Sequence, residues 1–182
     1  IGNTAKRLRM SAESLQEWNH VARMSGVETG TLEKAFEKVN NVIADIALGD
    51  VKGFAGVFHA LGISMEDIEG KDTSEAFEVI RNALEKDESY RAALANHLFG
   101  DKIGSDLLPM LGLEEKAIND LRQEAHELGI VTSNQIDTVG GYKEALDKLK
   151  QSTTALSVEV AEVMIPAMQA LVNIVKDRII PA

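Results

Sequence analysis

The spacing of apolar residues along the chain is that of α-helices almost throughout. Apolar positions recur at intervals of three and four residues, which places them on one face of each helix. One such face comprises Leu32, Ala35, Phe36, Val39, Ile43, Ile46 and Ala47. Nowhere do β-branched residues alternate with polar ones over the length of a strand. The pattern therefore predicts an all-α protein.

The individual apolar faces divide the chain into short helices. One shorter face is formed by Leu15, Trp18 and Ala22, and another by Tyr90, Ala93, Leu94, His97 and Leu98. The predicted helices lie near 11–25, 31–48, 51–61, 73–86, 88–99, 104–111, 114–128 and 132–180. Because the connections are short, neighbouring helices should pack as antiparallel hairpins in a compact bundle.

Glycines and capping residues predict where these helices end and begin. Gly26, Gly62, Gly112 and Gly129 each follow an apolar face and precede an apolar residue. This order is typical of a helix C-terminus at which glycine adopts the left-handed conformation. Helix starts are predicted by Ser11, by Ser64 with Asp67, and by Thr132 with Gln135, since the pairs have the spacing of a capping box.

The last predicted helix carries a heptad pattern, which we call the C-terminal seam. Its positions are Tyr142, Leu146, Leu149, Thr153, Leu156, Val160, Val163, Ala167, Ala170 and Ile174. Such a pattern predicts a coiled coil, and we expect self-association through Leu149, Leu156, Val160, Val163, Ala167, Ala170 and Ile174. Pro166 or the pair Gly140–Gly141 should bend or interrupt the helix.

The same pattern suggests a division of the chain into two parts. Residues 1–130 are predicted to form a helical module, and residues 131–182 a long C-terminal helix that acts as an oligomerisation arm. The first residue is Ile1, and the chain stops just after an apolar run. We therefore expect the sequence to be a fragment of a longer protein.

Composition excludes several classes of protein. The 182 residues include no cysteine, so disulfide frameworks, thiolate metal sites and cysteine nucleophiles are excluded. The formal net charge of −10 argues against broad contact with nucleic-acid backbones. The longest uncharged apolar-rich stretch runs from Val163 to Val175, shorter than the roughly 20 residues of a membrane-spanning helix.

A search for chemistry among the polar residues yields no recognisable site. None of His20, His59, His97 and His126 has a second histidine three or four residues away, so we interpret them as helix-surface or partly buried imidazoles. In the segment 100–105, Gly100 should end one helix and Ser105 should cap the next, rather than form a phosphate loop. The sequence predicts no catalytic residue and no cofactor.

Charged residues elsewhere also favour structural roles. The acids Asp45, Asp50, Glu66, Asp67, Glu69 and Asp72 lack the spacing of a calcium loop. We interpret Lys6, Arg7 and Arg9 as solvated residues at a helix start rather than as a nucleic-acid site. Trp18 is predicted to lie in the core, and Phe99 beneath the turn at Gly100.

The order of several sequence blocks resembles a known family. The blocks are Ser11–Gln16, Met24–Val27, Ala35–Lys38, Phe58–Ser64, Asp67–Lys71, Leu98–Gly100, Gly104 and Leu107–Leu111, followed by Lys143–Lys150. In this order and spacing they resemble the soluble helical region of tail tape measure proteins of long-tailed bacteriophages and prophages. Gly140–Gly141 departs from the pattern, since the family commonly has better helix formers there.

The resemblance implies a structural role in the virion rather than an enzymatic one. Such proteins lie in the lumen of the tail tube, set its length during assembly in the bacterial cytoplasm, and leave ahead of the DNA at infection. Implied partners are further copies of the chain, tail tube protein and tail assembly chaperones. Family members often carry a membrane-active apolar segment, of which the run 163–175 would be the start.

Two other hypotheses are compatible with the residues alone. The chain could be a cellular helical adaptor or chaperone-like module that binds a partner helix through the C-terminal seam. It could also be an enzyme with an unrecognised acidic site.

Overall fold

A computed structural model describes residues 1–138 and residue 140 of the chain. The chain divides into two units, residues 1–133 and 134–182, and the account below concerns the first. Its helices are α1 (Gly2–Leu8), α2 (Ala12–Met24), α3 (Thr29–Leu48), α4 (Ala55–Leu61), α5 (Thr73–Lys86), α6 (Arg91–Phe99), α7 (Asp101–Leu111) and α8 (Glu115–Glu127). Residues 133–138 are also helical, and no strand occurs in the part of the chain described. The predicted all-α class is confirmed.

Several helix ends follow the predicted capping chemistry. The Ser11 hydroxyl begins α2 by accepting a hydrogen bond from the Ser14 backbone N–H at 2.9 Å. Gly26, Gly62 and Gly129 have φ of 75°, 68° and 88°, so each adopts the left-handed conformation expected after a helix. Ser64 and Asp67 pair reciprocally as expected, but they close a turn rather than begin an α-helix.

Gly112 contradicts the prediction for helix ends. Its φ is −89° and its backbone is right-handed. A Cβ atom at this position would lie 2.9 Å from the Arg91 guanidinium. Gly112 therefore does not make a left-handed turn, and the nearest group to such a Cβ atom is the end of the Arg91 side chain.

Three local predictions, for Lys6 and Arg7 at a helix start, for a solvated Arg7 and for a cap at Ser105, were wrong. The helix α1 precedes the first predicted helix, and Lys6 and Arg7 lie in its last turn rather than at a helix start. Arg7 is not simply solvated, because its guanidinium pairs with Glu33 and Glu37 of α3. α7 begins directly after Gly100, whose carbonyl accepts from the Gly104 N–H at 2.8 Å, so Ser105 lies inside the helix and does not cap it.

The centre of the unit is a cluster of aromatic rings. Phe77 of α5 lies against Trp18 of α2 and Phe36 of α3, with ring centroids 5.1 and 5.0 Å away and nearly perpendicular planes. Phe99 of α6 extends the cluster at 6.2 Å from Phe77. Edge-to-face packing of this kind adds about 1 kcal/mol per pair to the burial of the rings. The core positions predicted for Trp18 and Phe99 are confirmed.

Two apolar faces are less buried than predicted. In α3, the predicted residues Leu32, Ala35, Phe36 and Val39 are buried in the core. Ile43 and Ile46 are half-buried, and Ala47 is exposed. In α6, the core residues are Ala95 and Phe99, and the predicted face is wrong: Tyr90 is 67% exposed, and Ala93 and His97 are exposed. α6 packs most extensively against α7 instead.

Close backbone approach explains how α6 packs. A Cβ atom on Gly104 of α7 would lie 2.7 Å from the Ala95 backbone and 2.5 Å from the Asn96 side-chain oxygen. Only glycine allows the two helices to come this near. Arg91, at the start of α6, also donates to the carbonyl oxygens of Leu84 and Glu85 at the end of α5, at 2.9 and 2.5 Å. α6 is therefore held by backbone contacts rather than by a continuous apolar face.

Candidate functional site

The predicted self-association site falls outside the described residues. This applies to Leu149, Leu156, Val160, Val163, Ala167, Ala170 and Ile174, to Pro166 and to the remaining seam positions. Of the predicted weak points, Gly140 is helical and exposed. The described part of the chain instead brings together a set of charged side chains where α2, α5 and α8 meet, which we call the polar junction.

Arg122 of α8 lies at the centre of the polar junction. Its Nε atom lies 3.0 Å from a carboxylate oxygen of Glu17 on α2, and its Nη1 atom donates to Glu78 on α5, also at 3.0 Å. The guanidinium also stands over the Trp18 ring, with Cζ 4.7 Å from the centroid. One side chain, only 19% exposed, therefore joins three helices through two ion pairs and a cation–π contact.

Two histidines extend the polar junction along α2 and α8. The Nε2 atom of His126 lies 2.7 Å from the second carboxylate oxygen of Glu17. In a second pair the histidine is on α2 and the acid is on α8. Nε2 of the buried His20 lies 3.3 Å from a carboxylate oxygen of Glu124. The predicted interpretation as helix-surface imidazoles holds for His126, His59 and His97, which are exposed, whereas His20 is more deeply buried than predicted.

Arg81 of α5 forms a second brace close to the polar junction. It is 1% exposed, and its Nη1 atom donates to the Leu113 carbonyl oxygen at 2.7 Å, just beyond α7. Burial lowers the pKa of Arg81, while the charges of Glu85 and Glu78 act in the opposite direction. Because a guanidinium remains protonated in proteins, Arg81 is a fixed buried cation that ties α5 to the end of α7.

The segment after α8 returns along α2 and is fastened there. The Gln16 side-chain amide donates to the Val131 carbonyl oxygen at 2.7 Å and accepts from the Val131 N–H at 3.1 Å. One turn earlier, the Glu13 carboxylate accepts from the Ser133 N–H at 2.7 Å and from the Ser133 hydroxyl at 2.6 Å. We call this four-bond attachment the exit clamp, because it holds the chain where the first unit ends.

The exit clamp also changes the pKa of the Glu13 carboxyl group that takes part in it. The two hydrogen bonds from Ser133, first from its hydroxyl and then from its backbone N–H, lower the pKa of Glu13. Hydrogen bonds to a carboxylate stabilise its charged form, which is the origin of the shift. The clamp is therefore made at neutral pH by an ionised Glu13.

The polar junction and the exit clamp share one chemical character. Their charged groups face charged or polar groups of other helices, so their evident chemistry is to join helices. Among residues 1–138 and 140, no group of three or more histidine or acidic side chains is placed to hold a metal ion. No helix in that part of the chain is both long and apolar enough to cross a membrane.

Sequence reasoning did not find either feature. The spacing that could have revealed them is present: Glu13, Gln16, Glu17 and His20 lie on one face of α2, and Arg122 and His126 are one turn apart on α8. Which helix faces which is not contained in that spacing, so the partners could not be assigned. No protein-family model, curated protein or solved structure matches this chain.

Proposed function

We propose that this chain is part of the soluble helical region of a phage or prophage tail tape measure protein. What carries the proposal is the order and spacing of the sequence blocks that resemble this family. The all-α fold of the described residues is compatible with it. In this proposal the protein acts through its length and its contacts, and transforms no substrate.

The resembling blocks coincide with positions that define the fold, which supports giving weight to their order. Ser11 begins α2, Gly26 follows its end, and Phe58 and Ile63 are buried on either side of the turn at Gly62. The block from Leu98 to Gly104 forms the junction of α6 and α7, where glycine is required. The resemblance therefore involves residues at helix ends and in the core, and is not explained by a similar overall amino-acid composition.

The proposed mechanism assigns different tasks to the two ends of the chain. An α-helix rises about 1.5 Å per residue, so a long helix converts residue number into length. We propose that the C-terminal arm, residues 131–182, is such a helix from Ser133 onward, bent or interrupted near Pro166 or Gly140–Gly141. The first unit would be a folded module at the start of this helix, with the exit clamp fixing the point on α2 at which the chain leaves the module.

The proposed partners follow from the same assignment. Copies of the chain would associate through the C-terminal seam, inside a tube of tail tube protein and with the help of tail assembly chaperones. Assembly would take place in the bacterial cytoplasm, and the mature location would be the lumen of the virion tail. The apolar run 163–175 would begin a membrane-active segment.

Tail length is the quantity that tests this function. Two extra copies of residues 146–173, inserted after residue 173 of the parent protein in its own phage, preserve the heptad spacing at each junction. We expect the tail, measured by electron microscopy of purified particles, to lengthen by about 84 Å, the rise of the 56 added residues in a helix.

A variant of unchanged length provides the control. In it, residues 146–173 are shuffled at the positions off the seam, and we expect tails of the original length. Tails that do not change with the inserted copies would contradict the proposal and favour the helical adaptor as the function of the chain.

Light scattering tests the proposed self-association separately. The double variant Leu156→Asp, Val163→Asp places two charges on the C-terminal seam, and we expect it to lower the molar mass of the oligomer formed by the parent chain. The matched control, Gln151→Asp with Ser157→Asp, adds the same two charges off the seam and should leave the mass unchanged. Equal masses for all three proteins would refute the seam as an oligomer contact.

A further inference from the structure

A groove of about 670 Å³, which we call the α4–α5 groove, lies beside the C-terminal half of α5. The end of α4 and the turn that follows it line one part, and the loop between α5 and α6 lines another. On α5 itself the lining residues are Val79, Asn82, Ala83 and Lys86. No residue of the polar junction or the exit clamp belongs to this lining, so the groove is a separate feature of the unit.

Apolar side chains of the α4–α5 groove keep part of their surface in contact with solvent. Leu61 of α4 and Val79 and Ala83 of α5 line the groove and are half-buried, so each still exposes part of its surface there. Ile63, also in the lining, is buried. Apolar surface that stays exposed in a concave site gains stability when another apolar surface covers it. The groove therefore offers a partner apolar area to bury.

The charges of the α4–α5 groove are mostly acidic. Asp67, Asp87 and Glu88 line it against Lys86, a ratio of three acids to one base, whereas the whole chain has 29 acidic and 19 basic residues. Hydrogen bonds from the backbone N–H and the hydroxyl of Ser64 lower the pKa of Asp67, so this carboxylate is ionised at neutral pH. Charge complementarity therefore favours a basic partner.

The shape of the α4–α5 groove favours a helix over a small molecule. Pockets for small molecules enclose most of the ligand surface, whereas this groove is open along the side of the unit. Its α5 positions, from Val79 to Lys86, are three and four residues apart and form one face of two helical turns, about 10 Å long. A second helix with apolar residues at the same spacing can pack its ridge of side chains along such a face.

We propose that the α4–α5 groove binds a basic amphipathic helix of a partner protein. The apolar face of the partner helix covers Leu61, Val79 and Ala83, and its Lys or Arg side chains pair with Asp87 and Glu88. An acidic helix of the same shape is rejected, because its carboxylates would meet like charges. This surface is distinct from the C-terminal seam and independent of the tape measure assignment, which its test leaves untouched.

Calorimetric titration of the intact chain with a synthetic peptide tests the proposal. The peptide has about 14 residues, roughly four helical turns, with leucines at helical spacing and lysines at the other positions. We expect one peptide to bind per chain, and no binding of the matched peptide in which glutamate replaces lysine. Absence of binding by the lysine peptide would overturn the proposal, and so would equal affinity for the two peptides.

Variants of the chain locate the binding of the lysine peptide. Ala83→Lys places a cation among the apolar side chains of the groove and should weaken binding at least about tenfold, because it opposes the like charges of the peptide. Ala47→Lys makes the same change at an exposed helical alanine of α3, outside the lining, and should leave the affinity nearly unchanged. Equal losses in the two variants would show a general effect of charge and refute the groove.

A change of one exposed carboxylate keeps the test decisive if Ala83→Lys disturbs the fold. Glu88→Gln should weaken binding about threefold, the typical effect of an exposed ion pair, and Glu127→Gln on α8 should not. Equal affinities of these two variants would refute the pairing at Glu88. Light scattering excludes a second copy as the occupant: Ala83→Lys should keep the molar mass of the parent chain, and a lower mass would overturn the proposal.

Discussion

The α6–α7 contact and the α2–α8 contact hold their helices together by opposite means. Between α6 and α7 there is no room for a side chain at Gly104, and the backbones nearly touch. Between α2 and α8 the side chains are long and charged, and Arg122 spans the distance to Glu17. The α6–α7 contact depends on the absence of a side chain at Gly104, and the α2–α8 contact depends on the opposite charges of Arg122 and Glu17.

The difference has consequences for what each contact tolerates. A close-packed contact has a single favourable geometry, so an added methyl group forces the helices apart. A charged contact adjusts to small movements, because long side chains can follow them, but it fails when one partner is removed and the other remains partly buried. The unit thus combines one sterically fixed helix pair with one electrostatically fixed pair.

The largest effect is expected at the sterically fixed contact. Gly104→Ala should destabilise the protein by about 2–3 kcal/mol, because its Cβ would meet the Ala95 backbone. Urea unfolding followed by circular dichroism measures the change. Gly56→Ala is the matched control: Gly56 is helical with open space around it, so alanine should stabilise by about 0.5–1 kcal/mol. Equal effects of the two substitutions would refute the close-contact explanation.

A smaller loss is expected at the electrostatically fixed contact. Arg122→Met keeps the apolar stem but removes both ion pairs and the contact with Trp18, and should cost about 2 kcal/mol. The same urea measurement applies. Lys116→Met on the same helix breaks only the exposed Lys116–Asp120 pair and should have no measurable effect. If the two variants were equally stable, Arg122 would not be a brace.

The smallest effect is expected at the exit clamp, where it depends on pH. The pKa of Glu13 lies below its ordinary value of 4.5, so the ionised carboxylate stabilises the fold fully above that value. This contribution is lost as the pH falls through the lower folded-state pKa. We expect the Ser133 amide resonance to shift below pH 4.5, without unfolding of the core. In Glu13→Gln the shift should be absent, and its persistence there would contradict the assignment.

The sequence predicts where the helices lie along the chain better than it predicts which helices pack against each other. The apolar spacing around Trp18 and Phe36 and the cap at Ser11 were sufficient to predict two core helices and one helix start, because these features depend on neighbours in the sequence. The α6 face was wrong because Ala95 and Gly104 pack by backbone approach, which carries no hydrophobic signal. Gly112 shows another limitation, since the order of a glycine before an apolar residue predicted a left-handed backbone and the backbone there is right-handed.

The polar features were hidden for a related reason. Arg122 and Glu17 are separated by most of the unit in sequence and meet only after α8 has packed on α2. The predicted C-terminal seam depends on local spacing alone, and it stays a prediction.

The exit clamp has a mechanical consequence. Gln16 and Val131 are 115 residues apart, so their two hydrogen bonds close a loop that contains most of the unit. A pull on the chain beyond Ser133 would reach α2 before it reached α8, since the bonds to Glu13 and Gln16 come first along the path of tension. As long as the four hydrogen bonds of the exit clamp hold, this tension does not reach α8, so α8 does not unfold from its C-terminal end. The unit would then resist traction at its outlet up to the rupture of a few parallel hydrogen bonds.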